Sequence, residues 1–193
     1  EFIDITARAH WFNNSNEGAN EVYNHIEPQV KRYYEDGSKY ISWYNTLNGD
    51  KYFIRKNFKR ALNYYKKEWF KPQQTDTLHF SRIRLGLKML KCYQFTKEYD
   101  KAEQIIPEIN TIAEFNIDQS TPLYSQIRLE VASYQSIYSS IPSDSLDDTY
   151  NKNIRKLIEN NIYEASPQLI KFLNDKAIFL VETNRLSAGE KLC

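Results

Sequence analysis

Glycine and proline are scarce in this chain, five and six among 193 residues. A β-sandwich or barrel spends both at its many turns, so that class is disfavoured. Cysteine is scarcer still. Cys92 and Cys193 cannot form a disulfide framework. Cys92 lies in an apolar helical stretch and reads as a buried, inert thiol, and so low a count fits a reducing compartment. The histidines are His10, His25 and His79, none three or four residues from another, so no zinc-ligand spacing exists. No glycine-rich loop precedes a helix, which removes the usual phosphate cradle. No apolar run approaches the roughly 18 residues of a transmembrane helix. No basic–apolar–small-residue signal opens the chain. Asp144, Asp147 and Asp148 cluster, but without the glycine of a calcium loop. Acids there complement the dipole of a helix's first turn. No Ser or Cys has a visible base partner in sequence. From these absences we expect no enzyme, no cofactor and no metal, and disfavour a small-molecule substrate.

What is present is aromatic. Fifteen Tyr, ten Phe and three Trp make up 15% of the residues, too many for a disordered chain. Three helix-start signals recur every 45 residues: Asp76 within Thr75-Asp76-Thr77, Thr121 before Pro122, and Ser166 before Pro167. Each is an N-cap type whose side-chain oxygen accepts from an orphan backbone N–H. Pro at the first helical position loses nothing by lacking that N–H. A period of this length predicts a helical-repeat array whose units stack on their neighbours. The chain opens on Glu1 rather than Met. That points to a mature form or an excised fragment, and the array is expected to continue past both ends.

The apolar spacing supplies the helices. Tyr124, Ile127, Val131, Tyr134, Tyr138 and Ile141 step by threes and fours, one continuous stripe. Phe80, Ile83, Leu87 and Leu90 line one face of the preceding unit, and Leu85, Met89 and Cys92 a second, so that helix is packed between two others. After a break near Thr96-Lys97, Tyr99, Ala102, Ile105, Ile106, Ile109 and Ile112 form another helix, with a kink or an end expected at Pro107. Leu146, Tyr150, Ile154, Leu157 and Ile158 form the next apolar face. Leu169, Phe172, Leu173, Ala177, Leu180 and Val181 form the last. Toward the N-terminus, Val22, Ile26, Val30 and Tyr33 suit one helix closed by Asp36-Gly37. Tyr40, Trp43, Tyr44 and Leu47 suit one closed by Asn48-Gly49-Asp50, and Phe58, Ala61, Leu62, Tyr65 and Trp69 one closed before Pro72. No segment alternates with period two, so no sheet is expected.

Tyr99, Ala102 and Pro107 follow the second-helix pattern of the tetratricopeptide repeat, aromatic then Ala then Pro. Phe58 and Ala61 repeat its first part, and Leu85-Gly86 resembles the Leu-Gly pair of a first helix. The chain thus resembles a tetratricopeptide-repeat protein over about residues 38–190. It departs in its period of 45 residues, against roughly 34 for that family, which falls in the range of HEAT-type repeats. The resemblance implies an all-α fold of antiparallel helical hairpins stacked as an α-solenoid, with a HEAT-like array as second choice. We expect one domain, 1–193, with hairpins at about 38–70, 76–115, 121–163 and 166–193 after an N-terminal helical segment, 1–36.

Net charge is +1, unevenly spread. Residues 1–96 hold 16 basic and 10 acidic side chains, and residues 97–193 hold 10 and 15. Within Lys51–Lys71 eight bases face one acid, Glu68, with Tyr and Phe interleaved. That combination suits phosphate neutralisation and base stacking. It equally suits an amphipathic helix with aromatics inward and Lys outward, the reading we favour. Function is expected in a protein- or peptide-binding scaffold that uses the concave face lined by first helices. The partner-binding candidates are Arg84, Lys88 and Lys91, a basic row on one helical face, with Arg55, Lys59, Tyr44 and Arg128. Such a row suits an acidic protein or peptide. Two alternatives stand: the sensor or regulatory region of a larger bacterial signalling or transcription-regulating protein, and RNA or single-strand binding through 51–71.

Overall fold

Asn48-Gly49-Asp50 does not end a helix. In the computed structural model α1 runs Lys39–Ile54 straight through it. The structure describes residues 39–71, 79–138, 143–160 and 167–183, with single positions between 18 and 28. Most of the expected helix over Val22–Tyr33, the caps Asp76 and Ser166, and the tail beyond Leu186 lie outside these. After α1 come α2 (Phe58–Trp69), α3 (His79–Thr96), α4 (Tyr99–Asn116), α5 (Pro122–Tyr138), α6 (Ser143–Glu159) and α7 (Pro167–Glu182). All elements among the described residues are helical. The chain forms two compact units, Glu1–Asp76 and Thr77–Cys193.

In the first unit α1 packs along α2. Leu47 faces inward on α1, and Ala61, Leu62, Tyr65 and Trp69 on α2. Gly49 is placed where a side chain would collide with the Tyr65 ring, a Cβ there falling 2.2 Å from Cε1. Asn48 stays helical, its Nδ2 donating to the Tyr44 carbonyl at 3.2 Å. Asp50 accepts from the Tyr65 hydroxyl at 2.7 Å. The three residues that read as a turn instead form the seam between two helices.

Two turns share one construction. Lys56 N–H donates to the Phe53 carbonyl and Asn57 N–H to the Tyr52 carbonyl, both at 2.9 Å. Lys97 N–H donates to Gln94 at 3.3 Å and Glu98 N–H to Tyr93 at 3.0 Å. Each is a Schellman cap with Lys in the left-handed region, φ 57° at Lys56 and 60° at Lys97. In both, the residue after that Lys opens the next helix. Asn57 Oδ1 accepts from Arg60 N–H at 3.3 Å. Glu98 occupies the same cap position without a side-chain bond. The common string is Tyr-x-x-x-Lys-x-aromatic-x-x-Ala, at Tyr52–Ala61 and Tyr93–Ala102, 41 residues apart. Both alanines are fully buried where the hairpin helices meet.

In the second unit α3 pairs with α4 and α5 with α6, and α5 also touches α3, α4 and α7. Thr121 caps α5 as its sequence predicts, its Oγ1 accepting from Tyr124 N–H at 3.4 Å. The stripe Tyr124, Ile127, Val131, Tyr134 is buried, and so is a second face, Leu129 and Ala132, because α5 has neighbours on several sides. Leu129 and Ala132 join Leu146, Tyr150, Leu157, Phe172 and Phe179 in one core. Ile158 and Val181, expected inward, are exposed, and Phe179 takes an inward place. Pro107 does not end α4, which continues to Asn116. Pro107 and Glu103, whose carbonyl loses its helical donor, are both exposed, so water can serve that oxygen.

Candidate functional site

The first helices of the second unit, α3, α5 and α7, touch in sequence order and share one polar ladder. Glu130 of α5 lies between lysines of its two neighbours. Lys91 Nζ of α3 is 3.9 Å from Glu130 Oε2. Lys171 Nζ of α7 is 3.6 Å from Oε1. Lys171 also reaches Asp175 Oδ2 at 3.0 Å, one turn along its own helix. Ser133 Oγ of α5 donates to that same oxygen at 2.8 Å. Tyr150 of α6 sits behind, its hydroxyl 3.4 Å from Ser133 Oγ and 3.5 Å from Ser136 Oγ. Burial pushes the Tyr150 phenol above its ordinary value, and the two serine bonds partly offset that. The ladder thus runs from half-exposed lysines to a fully buried phenol.

The expected site residues are placed as follows. Arg84 and Lys88 lie two turns and one turn before Lys91 on α3, Arg84 exposed and Lys88 half-buried. With the ladder's own charges the row becomes four bases against two acids. Arg128, two residues from Glu130, points elsewhere on the helix. It pairs with Glu114 of α4 at 3.6 Å. In the first unit Arg55 is half-buried and Lys59 exposed. Tyr44 leaves the candidate set. It is 5% exposed, packed inside its hairpin rather than offered to a partner.

Glu130, Lys171, Asp175 and Ser133 are absent from the expected set. The Lys171–Asp175 pair has a readable signal, opposite charges four apart on a helix. Glu130 has none, because both its partners come from other helices.

Asp147 Oδ1 lies 3.6 Å from Lys176 Nζ, and that buried lysine donates to Asn151 Oδ1 at 2.5 Å. These contacts tie α6 to α7. Among the described residues no group of three or more His, Cys, Asp or Glu is placed to hold a metal. None of the described helices is long and apolar enough to cross a membrane.

No protein-family model matches the sequence, and no curated protein matches it. Solved structures do match. The chain is similar to a Podosopora anserina protein described as a kinesin light chain with nearly identical TPR-like repeats, at TM-score 0.80 and 10% identity, over 98% of this chain and 89% of that one. A point variant of that protein matches with the same TM-score, identity and coverage. An agreement of this extent at so low an identity speaks for backbone arrangement alone. The chain has the fold of a TPR-like helical repeat, all-α and built of stacked antiparallel hairpins.

Proposed function

We propose that this chain is a non-catalytic interaction module that binds an acidic peptide or protein segment across α3, α5 and α7. Helical repeats of this kind characteristically serve protein interaction, because stacked hairpins bury their apolar faces against each other and leave one row of first helices to a partner. One observation carries the reading: the Glu130 carboxylate is shared by lysines of both neighbouring helices. The three helices therefore present one continuous charged strip. A peptide carboxylate arriving there competes with Glu130 for Lys91 and Lys171, while Arg84 and Lys88 extend the basic edge.

A displayed random-peptide library selected on the whole chain tests this. The expected result is enrichment of Asp- and Glu-bearing peptides. It is lost in the Arg84→Glu/Lys88→Glu/Lys91→Glu variant, whose thermal midpoint stays near the parent. Enrichment without acids, or capture undiminished by the triple reversal, sinks the assignment. Loss of folding in that variant would place those side chains in the scaffold.

A further inference from the structure

The α1–α2 hairpin keeps its acids inside. Lys39–Lys71 contains nine basic residues and two acidic ones. Asp50 and Glu68 are each 7% exposed. Asp50 is bonded by the Tyr65 hydroxyl at 2.7 Å. Glu68 accepts from Asn45 Nδ2 at 2.7 Å and pairs with Lys71 Nζ at 3.1 Å. A solvated helix face ordinarily mixes both signs. Here the outward charge is of one sign only, with Lys56, Lys59, Arg60 and Lys67 exposed.

Among these cations lie two stacked rings. Tyr52 of α1 and Tyr64 of α2 are 5.6 Å apart between centroids, with planes 14° from parallel. Both are half-buried. Arg60 stands 5.6 Å and Lys51 5.9 Å from the Tyr52 centroid. Lys67 stands 5.4 Å from that of Tyr64. The aromatics of this segment are therefore not all inward, and cations gather at this half-exposed tyrosine pair.

The partner's class follows from what the face offers and lacks. Its exposed apolar residues, Ile54 and Phe70, end α1 and α2 and so lie at opposite ends of an antiparallel hairpin. So separated, those two do not combine into one patch for insertion into a lipid surface. An acidic peptide would use the charges and leave the tyrosine stack idle. A single-stranded nucleic acid uses both, phosphates on the cations and a base against the aromatic pair. We propose that the Tyr52–Tyr64 face of the α1–α2 hairpin binds single-stranded nucleic acid, independently of the first-helix ladder.

The test is fluorescence anisotropy with the whole chain and labelled oligo-U and oligo-dT strands. Four phosphate contacts would weaken binding about 50-fold between about 50 and 200 mM salt. Lys59→Glu/Arg60→Glu/Lys67→Glu should lower affinity at least about tenfold with helicity unchanged by circular dichroism. If that variant unfolds, Lys59→Gln/Lys67→Gln replaces it, with loss of affinity again expected. Retention of the RNA and DNA strands to different degrees decides which is preferred, and binding of either supports the proposal. It is overturned if neither strand binds at about 50 mM salt with protein near 10⁻⁴ M. It is overturned too if the substituted, folded variant binds as the parent does. Equal displacement of the strand by poly-glutamate would reassign the face to an acidic protein, and capture only by anionic vesicles would reassign it to a membrane.

Discussion

Gly49 and Tyr65 occupy one another's space: a methyl at position 49 would sit 2.2 Å from the Tyr65 ring. Alanine inside a helix normally gains about 1 kcal/mol over glycine. At Gly49 the sign reverses, because the Tyr65 ring is fully buried and its hydroxyl is held by Asp50. Gly49→Ala should destabilise by about 1–3 kcal/mol, the usual penalty of overpacking. Chemical denaturation measures it, and a stabilised variant would show that the ring has room to move. Tyr65→Phe leaves the packing but strips one bond from a buried carboxylate, at about 1–3 kcal/mol.

The same position shows where sequence reading stops. Asn-Gly-Asp is a strong local stop signal. What cancels it is a ring arriving from another helix 16 positions on. An end at Pro107 is excluded for a similar reason, since its exposure lets the helix run on. The stripes of α2, α4 and α5 are legible because burial follows helical period directly. The second buried face of α5 is not, because it depends on how many helices surround it. At the candidate site the basic row is readable from spacing within α3, whereas Glu130 acquires its role only by standing between Lys91 and Lys171. The turn string from Tyr52 to Ala61, repeated from Tyr93 to Ala102, is in plain view. Its lysines fill a conformation ordinarily assigned to glycine, so the turn at Lys56 does not register, although a break is legible near Thr96-Lys97.

Tyr93 predicts an alkaline limit. Burial, then the Glu98 carboxylate and Cys92, push its phenol from 10 up to about 12. The folded state therefore holds this proton where the unfolded chain has lost it. Stability is full below about pH 10 and declines as pH rises toward 12. Tyr93→Phe should flatten that part of the stability–pH curve, measured by urea unfolding from pH 9 upward. An unchanged slope would assign the decline to other groups.

Lys176 ties α7 to α6 through Asn151 and Asp147. Lys176→Met keeps the stem's packing but removes the cation beside a partly buried carboxylate. A loss of about 1–3 kcal/mol is expected, with part recovered by adding Asp147→Asn. A double-mutant cycle by thermal unfolding reads the coupling, and strict additivity would mean that the pair contributes nothing.

Pro107 interrupts the hydrogen bonding of α4 on its exposed side and fills no core space. Pro107→Ala should therefore stabilise, by at most about 3 kcal/mol. The rise in thermal midpoint is the measurement. A fall would mean that the proline's restriction of the unfolded chain outweighs the missing bond.

Glu130→Gln separates scaffold from binding surface. The pairs it breaks are half-exposed, and such pairs contribute about 0–1 kcal/mol, so the thermal midpoint should scarcely move. The electrostatic change is larger where a partner would lie. Removing one negative charge between Lys91 and Lys171 leaves both lysines to an incoming carboxylate. A unit charge about 4 Å away is worth about 1 kcal/mol in water, so acidic peptides selected on the parent should bind about fivefold tighter. The gain should shrink with added salt, since both lysines are open to solvent. Calorimetric titration checks both effects. If the substitution instead weakens binding, Glu130 contacts the partner through its own negative charge, and the ladder recognises a basic segment.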